Sequence, residues 1–132
     1  ILFSAVIGTA GTKTAVKVNA QISQNDRVGK RLVAFIRQGI KDSESLMPAG
    51  ESPSMLVCDF LSVKVNSRPA CAYSLVLYFN TYGKQSPVMG HRVGICGKVK
   101  VKVTAEEIVK NLEETADRFR QEPGEAGKKY SP

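Results

Sequence analysis

The sequence has no tryptophan, a single histidine and only three cysteines among its 132 residues. The cysteines, Cys58, Cys71 and Cys96, include no CxxC pair, so they match neither a zinc site nor a thioredoxin-like redox motif. With no cluster of metal-ligating residues in the sequence, we expect neither a metal ion nor a cofactor.

Motifs that would carry catalysis are also missing. Gly90, Gly94 and Gly97 match neither the dinucleotide fingerprint nor the phosphate-binding loop. Inside a strand, Gly94 and Gly97 instead predict a bulge or a close backbone approach. His91 lies just before the predicted strand that contains Cys96, and an offset of five residues along a strand would place imidazole and thiol on opposite faces. We therefore expect a protein that is not an enzyme.

The overall composition is that of one globular domain. The chain is 42% hydrophobic and 23% charged, which excludes an intrinsically disordered protein. Its formal net charge of +7 favours acidic partners such as nucleic acid, anionic lipid or an acidic protein. Because the cations are spread along the chain, the alternative is a well-solvated basic surface.

The two ends differ in composition from the rest. Residues 1–12 are apolar and rich in small residues, which is typical either of the end of an export leader or of an additional strand. That segment is too short to span a bilayer as a helix. We expect one domain at 13–121 and a flexible tail at 122–132. The leader interpretation predicts a periplasmic or secreted protein, and the alternative is a cytoplasmic one.

Hydrophobic periodicity predicts the order β-α-β-β-β-α. The predicted strands cover 14–20, 55–65, 70–80 and 92–103, and the predicted helices cover 26–42 and 104–121. Residues 43–54 and 81–90 are predicted loops, since both contain proline and glycine. Thr104 and Glu107 have the spacing of a capping box, which marks the start of the second helix. This order predicts an α+β fold, with an antiparallel or mixed sheet and both helices on one face.

Lysines alternate along the last predicted strand and would share one side of the sheet. Together with nearby tyrosines they would form a positive face, as in several single-stranded nucleic-acid binders. The candidate binding residues on this face are Lys17, Lys98, Lys100, Lys102 and Tyr78, with Lys64 and Tyr73 as additional members. The alternative is that these lysines only prevent strands of other chains from pairing with the sheet.

The cysteines allow either one disulfide and one free thiol or three buried thiols. If the hairpin turns at 66–69, Cys71 lies opposite position 64 and out of reach of Cys58. A bridge between Cys58 and Cys96 would require that their strands be neighbours.

Three segments carry a resemblance to known proteins. The stretch Asn25–Ser43, NDRVGKRLVAFIRQGIKDS, resembles the first helix of small exported bacterial proteins of unknown function. Ala72–Leu77, AYSLVL, and Val93–Gly97, VGICG, are similar to later segments of those proteins, so that the resemblance covers residues 20–120. It implies export and an α+β fold, and it carries no catalytic residue to this chain.

Two functions follow from these observations. The first is a non-enzymatic exported domain that binds another protein or an acidic surface through its sheet face or through the loops at 44–54 and 81–91. The alternative is a nucleic-acid-binding module that uses the lysine-rich face. Salt dependence separates them, since phosphate binding weakens steeply with ionic strength.

Overall fold

The computed structural model describes residues 13–121, and the predictions made for 1–12 and 122–132 lie outside that range. Within it the strands are β1 (Thr14–Ile22), β2 (Leu46–Pro48), β3 (Ser54–Lys64), β4 (Ala70–Thr81), β5 (Lys84–Gln85) and β6 (Gly90–Gly97). The helices are α1 (Arg27–Asp42) and α2 (Val101–Gln121), and a 3-10 turn at Lys98–Lys100 leads into α2.

The strands form one mixed sheet. Their order is β2-β1-β3-β4, and the outer side of β4 is shared by β5 at one end and β6 along the rest. β1 pairs in parallel with β2 and β3, whereas β4 is antiparallel to each of its neighbours. The α+β prediction is confirmed, and β2 and β5 are short strands within the segments predicted as loops.

α1 begins directly after a capping aspartate, within one residue of the predicted start. Asp26 is the N-cap, and its Oδ1 accepts a hydrogen bond from the backbone N–H of Gly29 at 2.7 Å. Its Oδ2 accepts one from the hydroxyl of Ser62 on β3 at 2.5 Å. Because this carboxylate is fully buried and has both partners, it fixes the start of α1 to the sheet.

Both helices pack on the same face of the sheet. The core between the helices and the sheet includes Leu32 and Ile36 of α1, Ile108 and Leu112 of α2 and Phe60 of β3. Farther along α2, the ring of Phe119 stacks on Phe79 of β4 with centroids 3.9 Å apart. The opposite face of the sheet carries no described helix.

The strand predicted at 92–103 is wrong beyond Gly97. The chain turns there, and α2 begins at Val101, so Thr104 lies inside the helix and does not cap it. The alternation of valine and lysine from 98 to 103 has the period of a strand. However, Val101, Ala105 and Ile108 also recur at helical spacing and are all buried, whereas Val99 is 90% exposed. The chain therefore forms a helix from Val101 onward, because a helix buries Val101, Ala105 and Ile108 together.

Candidate functional site

The positive face predicted for the sheet does not form. Lys98 and Lys100 lie in the 3-10 turn and Lys102 in the first turn of α2, because β6 ends at Gly97. Lys17 and Tyr78 lie on the open face, on either side of Val57 in the sheet register.

The other two members point elsewhere. Tyr73 belongs to the core and is 6% exposed. Lys64 follows the alternation of Phe60 and Ser62, so it lies on the helix-facing side. Strand alternation alone places Tyr73 and Tyr78 on opposite faces, so this separation follows from the sequence, whereas the position of Lys98, Lys100 and Lys102 depends on where β6 ends.

The predicted cysteine pair is not brought together. β4 separates the strand of Cys58 from that of Cys96, and Cys58 lies opposite Leu77, six positions along β4 from the residue that faces Cys96. The two cysteines are therefore offset by roughly 20 Å along the strands, far beyond disulfide reach. Cys96 instead lies opposite Cys71 in the register of β4 and β6. All three cysteines are free and buried thiols. Burial, with a smaller contribution from the nearby charge of Asp59, raises the pKa of Cys58 from 9.0 to about 12.

His91 and Cys96 point to opposite sides of the sheet, as their spacing predicts. Cys96 is buried under the helices, while His91 lies on the open face and is exposed. Their imidazole and thiol groups therefore cannot act together in this structure.

The open face of the sheet carries four exposed apolar side chains at one end. Leu61 and Val63 of β3 are 49% and 47% exposed, and Val93 and Ile95 of β6 are 74% and 59% exposed. The register places Val63 and Ile95 on either side of Ala72, and Leu61 and Val93 on either side of Ser74. We call these four residues the open apolar patch.

The patch adjoins a strand edge whose backbone groups are unpaired within residues 13–121. Val65 N–H donates to Ala70 O, and Lys98 N–H donates to Pro69 O, each at 3.0 Å. In an antiparallel ladder, every second residue pair is hydrogen-bonded, so these two bonds show which residues of β3 and β6 pair with β4. On β6 the hydrogen-bonded residues are Arg92, Gly94 and Cys96. The N–H and C=O groups of His91, Val93 and Ile95 therefore point away from β4, and in the described range β6 pairs with β4 alone.

Contacts on the helix-facing side hold β6 in place. Arg92 donates from Nε to the Tyr73 hydroxyl and from Nη2 to Glu107 Oε1, each at 2.8 Å. A Cβ on Gly94 would lie 3.0 Å from the Tyr73 hydroxyl, so the predicted close approach at Gly94 is confirmed. Arg92, the one permanent cation of β6, is thus turned away from the open face, and no lysine or proline protects the edge.

Each of the two predicted binding loops contains a short strand, β2 or β5, that joins the sheet. In the first, the Ser43 hydroxyl accepts from the backbone N–H groups of Ser45 and Leu46 and donates to Glu113 of α2 at 2.7 Å. In the second, Tyr82 is 78% exposed at the turn between β4 and β5. Neither loop gathers groups that would hold a ligand as directly as the edge of β6.

Residues 13–121 contain neither a candidate metal cluster nor a helix suited to span a membrane. No group of three or more His, Cys, Asp or Glu side chains there could hold a metal ion. Neither helix in that range combines the length and the apolar character needed to cross a membrane.

No family model matches the chain, and no curated protein matches it. Among solved structures, it is similar to a minor lipoprotein from Acinetobacter baumannii, with 7% identity and a TM-score of 0.41. The alignment covers 77% of this chain and 94% of the lipoprotein. A likeness of this size carries no function from one protein to the other, and the resemblance to small exported bacterial proteins stays a prediction.

Proposed function

We propose that this chain is a non-enzymatic binding domain that adds an extended segment of a partner protein to its sheet at β6. The observation that carries the proposal is the combination of an unpaired strand edge with apolar side chains on the same residues. Val93 and Ile95 each offer backbone hydrogen-bonding groups at the edge and an exposed apolar side chain on the open face.

A partner strand would satisfy both features at once. Its backbone would complete the ladder at His91, Val93 and Ile95, which supplies affinity in strand addition. Alternate side chains of the same strand would contact Val93 and Ile95, so an apolar partner residue at every second position is expected. Because Arg92 and Gly94 anchor β6 to Tyr73, the edge is ordered before the partner binds.

The proposal includes export, which rests on the apolar composition of residues 1–12. The three free thiols lend it no support, since disulfides are the feature that marks an oxidising compartment. Fractionation of cells that express the natural gene tests this part separately: recovery in the cytoplasm alone would contradict export and leave the binding proposal intact.

A proline at Val93 tests the binding proposal. The N–H of Val93 points to the free edge, so proline removes no bond to β4 and blocks the addition of a strand. The matched control is Val88→Pro, which replaces a 60% exposed valine in the segment before β6.

The 132-residue chain and both variants are presented with a display library of short random peptides. We expect the selected peptides to carry β-branched or aromatic residues at alternate positions. Their binding should weaken at least about 10-fold in Val93→Pro and stay unchanged in Val88→Pro. Equal binding to both variants, or selected peptides without alternation, would contradict the proposal. A concentration-dependent dimer of the unmodified chain that Val93→Pro abolishes would identify the partner as a second copy.

A further inference from the structure

A second surface lies at the end of the sheet where α1 begins. There, the start of α1, the end of β3, the start of β4 and the 3-10 turn surround a cleft of about 740 Å³. This volume lies in the range of pockets that hold small molecules. The cleft is on the helix-facing side of the sheet and is separate from the open apolar patch.

Cationic side chains from three separate elements line this cleft. α1 contributes Arg27, Lys30 and Arg31, β3 contributes Lys64, and the 3-10 turn contributes Lys98. All five are exposed. Within residues 13–121, the two ion pairs join Arg92 to Glu107 and Arg120 to Asp117, so neither neutralises a cation of the cleft.

The acidic lining residue does not offset these charges. Asp26 is buried beneath the cleft, and its two carboxylate oxygens already accept hydrogen bonds from Gly29 and Ser62. The same contacts mean that the start of α1 is capped from within the protein. Attraction for an anion must therefore come from the five side chains, since like charges gathered around a concave surface concentrate the positive potential.

The remaining lining residues indicate which anion fits. Besides Asp26 they are the polar Gln24 and Asn25 and the aliphatic Val28, Pro69 and Ala70, so the cleft has no ring on which a nucleic-acid base could stack. The cations converge from several sides instead of following one groove. We propose that this cleft binds a compact anion that carries several phosphate groups, recognised by its charge and its phosphate oxygens.

The experiment titrates the 132-residue chain with sodium tripolyphosphate at low ionic strength, about 20 mM, where exposed charges are weakly screened. Amide NMR shifts of the unmodified protein locate the site. We expect the largest shifts at Arg27, Lys30 and Lys98, and affinity that falls as salt is added. Calorimetry gives the dissociation constant for each variant.

The cleft variant replaces Arg27 and Lys98 with glutamine, and the control replaces Lys41 and Lys110, which lie outside the cleft. Both pairs lower the net charge equally. We expect about 10-fold weaker binding in the cleft variant, equivalent to about 1.4 kcal/mol, and less than about 2-fold in the control. If the cleft variant unfolds, the amide shifts of the unmodified chain test the proposal instead: shifts centred on the cleft support it, and shifts elsewhere contradict it.

Three results would overturn the proposal. The first is the absence of tripolyphosphate binding at low salt, and the second is equal loss of affinity in the two variants. The third is an oligodeoxythymidine strand that binds the same cleft at least about 10-fold more tightly than tripolyphosphate, which would assign the cleft to nucleic acid.

Discussion

The replacement of Gly29 by alanine should destabilise the protein, although alanine is the better helix former. Gly29 lies in the first turn of α1, and helix propensity alone predicts a gain of about 1 kcal/mol from this substitution. In the structure, however, an added Cβ would lie 2.5 Å from Ser62 Oγ and 2.7 Å from Asp26 Cγ. The methyl group and the buried cap cannot occupy the same space.

The cost follows from the bonds that must then shift. Loss of the N-cap bond from Gly29 to Asp26 costs about 1 kcal/mol. A Ser62 hydroxyl left buried without its partner costs about 2 kcal/mol more. After subtraction of the propensity gain, we expect the free energy of unfolding to fall by about 2 kcal/mol.

Urea unfolding of the unmodified chain and two variants measures this effect. The second variant, Ala34→Gly, calibrates helix propensity on the exposed side of α1 and should cost about 1 kcal/mol. If Gly29→Ala is as stable as the unmodified chain or more stable, the contact among Gly29, Asp26 and Ser62 is not what fixes the start of α1.

Three further predictions concern the core. Because the pKa of Cys58 is raised, the folded state retains a proton above pH 9 that the unfolded state releases. The free energy of unfolding should therefore be constant below pH 9 and fall by about 1.4 kcal/mol per pH unit toward pH 12, the pKa of Cys58 in the fold. Unfolding curves that do not change between pH 9 and pH 12 would contradict the burial of that thiol. Without reductant, all three cysteines should react with a thiol reagent in denaturant and react slowly in the native chain, whereas fewer than three reactive thiols in denaturant would reveal a disulfide. Phe119→Ala should lower the free energy of unfolding by about 2 kcal/mol, since it removes the ring stacked on Phe79, and a loss below about 0.5 kcal/mol would show that the end of α2 does not contribute to the core.

The parts of the fold that local signals determine could be predicted from the sequence. Asp26 has the residue type of an N-cap and precedes a helical stripe, so the bounds of α1 agree with the prediction to within one residue. The pairing of β3 with β4 followed from two apolar runs on either side of the turn at 66–69. Within α1, Val33 is buried, whereas the larger Phe35 is 37% exposed.

The segment at 98–103 could not be predicted, because its residues fit two periods at once. Alternating valine and lysine indicates a strand, while Val101 and Ala105 begin a helical stripe. Only tertiary packing decides between them, because Ile108 and Leu112 of the helix enter the core that α1 shares with the sheet. Because β6 ends at Gly97, Lys98 lies in the cleft beside α1 and not on the predicted sheet face.

The open sheet face was predicted as the place of function, but its chemistry was not. Once β6 ends at Gly97, the exposed residues of its outer side are His91, Val93 and Ile95 in place of a row of lysines. The expected protection of the edge by lysine is therefore absent from β6. The same residues became the centre of the proposed binding surface.

Residue-resolved amide hydrogen exchange along β6 tests the central claim most directly. In the 132-residue chain alone, the amides of Val93 and Ile95 should exchange rapidly, while those of Arg92, Gly94 and Cys96, which pair with β4, should exchange slowly. A peptide selected by the chain should slow exchange at Val93 and Ile95. Slow exchange at these two amides in the chain alone would show that the edge is already covered, and rapid exchange that the peptide leaves unchanged would place its binding elsewhere; either result would contradict strand addition at β6.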